Sequence, residues 1–314
     1  MIRWGFLGAG WMATTGLAPA VHSAKNASLY AVASRDPDRS LALNPQKVHS
    51  SYDDLLADPD VDAIYINLAN HQHFEWTIKA LTAGKHVLCE KPLALNFEQA
   101  QAMADAAKKY DRILVEAVWT RWHPRFVRIV ELVSGGDIGQ LRTIDSSFCF
   151  TGDFKDNYRL DPLMGGGSLL DVGLYQAHAW SAMSHGEPTL IIESVDQNAG
   201  ATGVDLTTKV SAQFSNGVKV SALSSFEKQE AQHLVITGSD ATIDCPGDDA
   251  FTSWNKPSSL HVGESVEEFA AIDPYSLMVE NFSDRIMGLP SWIPKIEESL
   301  YVMGLLDQIK AFKG

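Results

Sequence analysis

Cysteine is scarce. The 314 residues hold three, Cys89, Cys149 and Cys245, each isolated and none in a C-x-x-C pair. That argues against a disulfide framework or a cysteine zinc site and fits a reduced cytoplasm. Basic residues are outnumbered, 25 against 39 acidic, for a formal charge of −14. This balance speaks against nucleic acid or an anionic membrane as partner, while backbone amides and a few Arg or Lys can still hold an anionic cofactor. No uninterrupted apolar run reaches membrane-spanning length. The opening Met1-Ile2-Arg3-Trp4 has no signal-peptide layout. A P-loop, a Ser-His-Asp elbow, a zinc signature, internal repeats and low-complexity linkers are also missing. The apolar fraction of 45% supplies an ordinary core, and the length suits two domains.

The first third alternates strand and helix signals. Short apolar runs at 2–7, 29–33, 63–68, 86–89 and 113–115 read as buried parallel strands. Helical patterns at 11–24, 52–57, 74–83 and 97–110 lie between them, with Gly84 as a C-cap and Asn96 with Gln99 as a capping box. A βαβα rhythm predicts a Rossmann-type, doubly wound parallel sheet over residues 1–122. The rhythm then changes. After a helix at 125–134, strands at 141–151, 190–197, 207–214, 219–226 and 233–237 follow without helices between most of them. Asn216-Gly217 is a hairpin signal. Helices return at 167–184, 274–287 and 296–312. Residues 123–314 therefore read as an α+β domain with a large, mainly antiparallel open sheet, whose last helix has the option of returning to the first domain.

Chemistry concentrates in two motifs. Gly8-Ala9-Gly10-Trp11-Met12-Ala13 sits between a strand and a helix, where a dinucleotide needs it. Gly8 permits the tight turn, Gly10 the close approach of a pyrophosphate, and Ala13 the packing of helix on strand, while the helix N-terminus attracts phosphate. Glu90-Lys91-Pro92 follows the strand ending at Cys89. Strand C-termini of open α/β sheets are where ligands bind, so Lys91 is a cation at the cofactor's reacting end. Proline fixes this turn, with the cis form an option.

Together with Ala63-Ile64-Tyr65-Ile66, His73, Gly84-Lys85-His86-Val87, Gly166-Gly167-Ser168-Leu169-Leu170-Asp171-Val172-Gly173 and Trp292-Ile293-Pro294, these motifs resemble the Gfo/Idh/MocA oxidoreductase family along essentially the whole chain. Glu116-Ala117-Val118-Trp119-Thr120-Arg121 and Asp171-Val172-Gly173-Leu174-Tyr175 are most similar to its dimeric dihydrodiol dehydrogenase and NADP-xylose dehydrogenase branch. The resemblance implies hydride transfer to or from a nicotinamide. It places Lys91 at the reacting centre, and Asp171 and Tyr175 at the acidic and acid/base positions of a helix. It also implies a homodimer formed through the second domain's sheet, with Val210, Ala212, Val220 and Ala222 on the uncovered face.

Other positions follow from the residues. The strand ending at Ala33 meets Ser34-Arg35, with Arg39 nearby, where NAD-binding sheets carry a ribose-binding acid; this favours NADP, with NAD open through Asp36. Trp11, Met12, Leu68, Asn70, His73 and Glu90 complete the expected cofactor contacts. Leu68-Ala69 stands where the family often has Thr-Pro. Trp119, Arg121, Asp153 and Tyr158 are candidate contacts to a small-molecule substrate, and no metal is expected. The leading class is an NADP(H)-dependent oxidoreductase of a sugar, polyol or diol. A cofactor-retaining glycoside-cleaving enzyme and a nucleotide-binding regulator without turnover are the alternatives.

Overall fold

The computed structural model describes residues 1–152, 154–155, 157–184 and 186–313. It divides into two compact units, Met1–Trp122 with Asp273–Ser299, and His123–Ile272 with the stretch from Leu300 on.

The first unit is built on six parallel strands: β1 (Ile2–Leu7), β2 (Ala27–Ala33), β3 (Lys47–His49), β4 (Ala63–Ile66), β5 (His86–Cys89) and β6 (Leu114–Glu116), in the order β3-β2-β1-β4-β5-β6. β4 is buried at all four positions, as a strand covered on both faces must be. The chain reverses its direction of travel between β1 and β4, and the crevice at such a switch point is where nucleotides sit in these sheets. Helices α1 (Ala18–Ser23), α2 (Pro37–Ala42), α3 (Tyr52–Ala57), α4 (His73–Thr82) and α5 (Phe97–Lys109) connect the strands. The expected helix at 11–24 contains a π turn at Ala13–Leu17 before α1. Asn96 caps α5 by accepting from Gln99 N, but the returning Gln99 Oε1 bond comes from Leu95 N, one residue before the cap. Three-residue β3 carries no pattern long enough to see in the sequence. The helix Pro274–Ile286 packs in this unit, not with residues 123–272 as the sequence suggested: Trp4 Nε1 donates to Ser283 Oγ (3.2 Å), and Asn26 Nδ2 to Glu280 O (2.9 Å) and Asp284 Oδ1 (2.7 Å).

The second unit opens with α6 (Pro124–Gly135), which Gly136 ends in the left-handed region at φ +80°. Its eight strands are β7 (Leu141–Cys149), β8 (Leu190–Ala199), β9 (Asp205–Phe214), β10 (Lys219–Ser225), β11 (Ala231–Gly238), β12 (Thr242–Asp244), β13 (Ser258–Val262) and β14 (Ser265–Phe269). They lie in the order β14-β13-β12-β11-β7-β10-β9-β8. β7 and β10 pair parallel; the other neighbours are antiparallel. The Asn216-Gly217 turn joins β9 to β10, with Gly217 N bonded to Phe214 O at 2.8 Å. A π turn, Leu169–Gly173, leads into α7 (Leu174–Met183).

The polarity of this sheet corrects one expectation. Val210, Ala212, Val220 and Ala222 are all buried. The exposed positions beside them are Asp145, Lys209 and Lys219, with Ser211, Gln213 and Ser221 half-exposed. Alternation groups residues by face, and the apolar group went to the inside. The apolar argument for a dimer therefore fails.

His123 gives a pH prediction. It is buried and caps α6, its Nδ1 accepting from Arg125 N at 3.2 Å. Burial, then the Arg125 charge, pushes its pKa down to about 4. The unfolded chain takes up this proton near pH ~6.5 while the folded one stays neutral, so stability is lost as pH falls from ~6.5 toward the folded value. The slope from this residue approaches ~1.4 kcal/mol per pH unit. Asparagine retains a capping oxygen without the titration. Urea unfolding of His123→Asn should decline less between pH 7 and 5 than that of the parent; parallel declines would refute this.

Candidate active site

The glycine turn is tight for a visible reason. Gly8 has φ +94°, and a Cβ there would lie 2.2 Å from Asn67 O. A Cβ on Gly10 would lie 2.5 Å from Asn67 Oδ1, which accepts from Gly10 N at 2.9 Å. Ala13 is fully buried. Trp11 is 68% exposed, whereas Met12 packs on Tyr275, its Sδ 3.9 Å from the phenolic oxygen. A turn without room for side chains, opening a helix at the switch point, fits a dinucleotide's pyrophosphate.

At the end of β2, one oxygen of the Asp36 carboxylate is engaged in a helix cap. Asp36 caps α2, accepting from Asp38 N (3.0 Å) and Arg39 N (3.4 Å). Ser34 Oγ bonds Asp36 O (2.6 Å) and Ser40 Oγ (2.8 Å). Arg35 and Arg39 are exposed, and the Arg39 guanidinium donates to Ala9 O of the glycine turn. Two exposed cations at this strand end suit a 2′-phosphate.

After β5, the Lys91-Pro92 bond is cis. Lys91 is half-buried and Glu90 buried. Burial raises the Glu90 carboxyl, against the lowering effects of the Tyr65 hydroxyl, 2.5 Å from its Oε1, and of the Lys91 charge. Glu116 accepts from Leu93 N at 2.8 Å and closes the turn from β6. The His73 ring is fully buried, with Nδ1 2.8 Å from Pro92 O and Nε2 3.0 Å from Leu68 O. Burial lowers its pKa, so the neutral ring has one N–H for these two carbonyls. The ring links the Leu68 and Lys91 turns through their backbone carbonyls. Asn70 is buried at the start of a 3₁₀ turn, Asn70–Gln72.

Two substrate candidates of this unit also turn inward. Trp119 is buried, its ring 6.0 Å from that of Tyr275. Arg121 is buried, its Nη1 2.6 Å from Glu298 Oε2 and its guanidinium 5.7 Å from the Trp292 ring. An ion-paired arginine against an indole is packing, and its charge is already balanced.

In the second unit, Tyr175 enters on the first turn of α7, 8% exposed, with its ring 5.7 Å from Phe148 and 6.3 Å from Phe251. The next residue, Gln176, ties the helix to the sheet. Its Oε1 accepts from Ser146 Oγ and Leu223 N, both at 3.1 Å, and its Nε2 donates to Leu223 O at 3.2 Å. Asp171 is buried, and its Oδ2 meets Arg159 Nε at 2.7 Å. It lies in the π turn, so the four-residue spacing to Tyr175 does not carry the simple α-helical phase expected from sequence. Burial lowers the Arg159 pKa, but the Asp171, Tyr158 and Tyr175 charges outweigh this and raise it. The Arg159 guanidinium also sits 5.0 Å over the half-buried Tyr158 ring. Asp153 lies outside the described residues. Gly166 and Gly167 approach the protein's own chain: a Cβ on Gly166 would lie 2.5 Å from Arg159 O, and one on Gly167, at φ +113°, 2.1 Å from Asp205 Oδ1. Asp205 Oδ2 in turn accepts from Ser168 Oγ and Leu169 N, both at 2.8 Å. Neither Asp205 as this cap nor Arg159 as the partner of Asp171 shows in any local sequence pattern.

A parallel sheet with a glycine turn at its switch point, joined to a unit bearing an eight-stranded sheet, defines a two-unit nucleotide-binding protein. Residues 2–118 match the model of the "Oxidoreductase family, NAD-binding Rossmann fold", and residues 126–244 that of the "GFO/IDH/MocA C-terminal domain". The chain is 31% identical over 318 residues to D-xylose 1-dehydrogenase (NADP(+)) 2 of Haloferax volcanii, covering 98% of this chain and 96% of that one. It is 29% identical over 293 residues to trans-1,2-dihydrobenzene-1,2-diol dehydrogenase of Xenopus tropicalis, covering 90% and 84%. The crystal structure of a 3-ketoreductase from Actinomadura kijaniata in complex with NADP and TDP-benzene matches with a TM-score of 0.89 at 25% identity, covering 98% and 97%. The chain belongs to the Gfo/Idh/MocA family and is an NAD(P)-dependent oxidoreductase.

Proposed function

We propose that this oxidoreductase uses NADP(H) and moves a hydride to or from a CH–OH or carbonyl carbon of a sugar, polyol or diol, with Tyr175 as acid/base and Lys91 as its assistant. The observation that carries the reading is the glycine turn at the switch point of the parallel sheet, closed to side chains at Gly8 and Gly10. Lys91 follows a strand end of the nucleotide-binding unit, and Tyr175 opens a buried helix of the other unit. The names of the relatives, an NADP-dependent xylose dehydrogenase and a dihydrobenzenediol dehydrogenase, support the substrate class.

The backbone at Trp11 and Met12 and the helix they open would hold the pyrophosphate, with Gly8 and Gly10 giving access. Ser34, Arg35 and Arg39 would border the 2′-phosphate, and Leu68, Asn70 and the Glu90–Lys91 turn the nicotinamide end. The bound nicotinamide supplies or accepts the hydride. The proton is handled by the protein. Tyr175 removes it from the substrate hydroxyl in oxidation and returns it in reduction. A phenol titrates near ~10, too high for a good base at neutral pH. The Lys91 ammonium favours the phenolate and stabilises the developing alkoxide. Asp171, committed to Arg159, orients its surroundings instead of transferring the proton. The homodimer rests on the family resemblance alone, since the apolar face it invoked is buried.

The cofactor reading predicts that Arg35→Ala and Arg39→Ala each raise the NADPH dissociation constant about tenfold, the loss of one charge-assisted contact. NADH binding should stay nearly unchanged in fluorescence titrations. Equal losses for both nucleotides, or tighter NADH than NADPH binding by the parent, would contradict it.

A further inference from the structure

A chain of hydrogen bonds, buried at its middle, runs from the glycine turn to the lysine turn. Asn67 follows β4, and its backbone N still pairs with Leu7 O at 2.9 Å, which fixes where its side chain starts. Gly10 N can only donate, so the Asn67 oxygen must face it, as it does at 2.9 Å. That leaves Asn67 Nδ2 as a donor, and it lies 3.4 Å from the Tyr65 oxygen. The Tyr65 hydroxyl hydrogen goes to Glu90 Oε1 at 2.5 Å, and Glu90 Oε2 accepts from Lys91 N at 3.2 Å. Donation runs from Gly10 through Asn67 and Tyr65 to Glu90, whose carboxylate also accepts from the Lys91 side. The middle of the chain has no water to fall back on: Tyr65 is fully buried, edge-on to Phe6 at 4.9 Å, and Glu90 is buried. Breaking a link therefore leaves a polar group buried without its partner.

We propose that Asn67 is a positioning residue that couples the nucleotide turn to the Lys91 turn through Tyr65 and Glu90. The proposal rests on the reading that the glycine turn binds the nucleotide. Filling the nucleotide site fixes Gly10, hence the Asn67 amide, hence the carboxylate that holds the Lys91 backbone. Asn67 and Tyr65 act through the backbone of the two turns. They transmit order between two turns that come together only in the folded sheet.

The test is NADPH fluorescence titration of the full-length protein and of Asn67→Ala, Tyr65→Phe and the double variant, with thermal melts confirming the fold. Asn67→Ala should raise Kd about tenfold. Tyr65→Phe removes one oxygen from a side chain that makes no contact with the glycine turn, yet should raise Kd several-fold. The double variant should be no worse than Asn67→Ala, because one chain broken twice is broken once. If Asn67→Ala does not fold, Tyr65→Phe carries the test through pH. The groups acting on Glu90 are Tyr65 and Lys91, which hold its carboxyl down, and Glu116, which pushes it up together with burial. Losing the Tyr65 hydroxyl should move the acid limb of NADPH affinity to higher pH, a change that looser packing alone does not make. An unchanged Kd in Tyr65→Phe, additive losses in the double variant, or an unmoved acid limb would overturn the coupling. A parent that binds neither NADPH nor NADH would instead overturn the nucleotide reading beneath it.

Discussion

Tyr175→Phe should lower kcat by about 10²–10⁴, the usual contribution of a positioned acid/base, while the NADPH dissociation constant changes little. The substitution keeps the ring that packs against Phe148 and Phe251 and removes the hydroxyl alone. Gln176 bonds the helix to β7 and β10, so α7 should stay in place. A proton then has to move through water or not at all. The interaction lost exists mainly in the transition state, and for that reason the effect belongs in kcat. Lys91→Met should produce a loss of the same kind. If both act on one reacting oxygen, the double variant should lose far less than the product of the two single effects. Near-normal turnover in Tyr175→Phe would remove tyrosine as the acid/base.

Gly167→Ala should destabilise the protein by on the order of 3 kcal/mol, since it combines a left-handed backbone position with a severe overlap. The new methyl group would lie 2.1 Å from Asp205 Oδ1, and the backbone there has φ +113°. Asp205 is the residue displaced, and it holds Ser168 Oγ, Leu169 N and Thr208 Oγ1, each at 2.8 Å. The start of the segment leading to Asp171 and Tyr175 would lose its cap. Urea unfolding followed by tryptophan fluorescence should show a lower midpoint, and activity should fall with it. An unchanged midpoint would mean that Asp205 moves aside freely and that the glycine is not needed there.

What could be read ahead of the structure was what is local. The glycine turn, the buried run of β4 and the Lys91-Pro92 turn each announce themselves within a few residues. So does the Asn216-Gly217 hairpin. The misses are pairings across the chain. Arg121 looked like a cation for substrate because its partner, Glu298, is 177 positions later, shown by the ion pair between them. The helix Pro274–Ile286 looked like part of the second domain because no local pattern reports Trp4 reaching Ser283. Arg159 stood in an irregular stretch where no period shows which residue faces Asp171. Tyr65 and Asn67 were hidden inside and beside an apolar run, where a tyrosine reads as core. His73 was read as a cofactor contact, but a sequence does not show which backbone carbonyls a ring will meet. Val210 and Ala222 failed differently: alternation told which residues share a face, and the covering helix decided which face is dry.

The central claim is reversible hydride transfer with NADP(H), and absorbance at the nicotinamide band tests it most directly. The purified protein should be offered aldoses, polyols and cyclic trans-diols with NADP⁺ and with NAD⁺, and the matching carbonyl compounds with NADPH and NADH. A stoichiometric change in nicotinamide absorbance is expected with at least one member of this panel, more efficient with the phosphorylated cofactor and lost in Tyr175→Phe. Glycoside cleavage with no net change in nicotinamide, or nucleotide binding with no turnover of any compound in either direction, would contradict it.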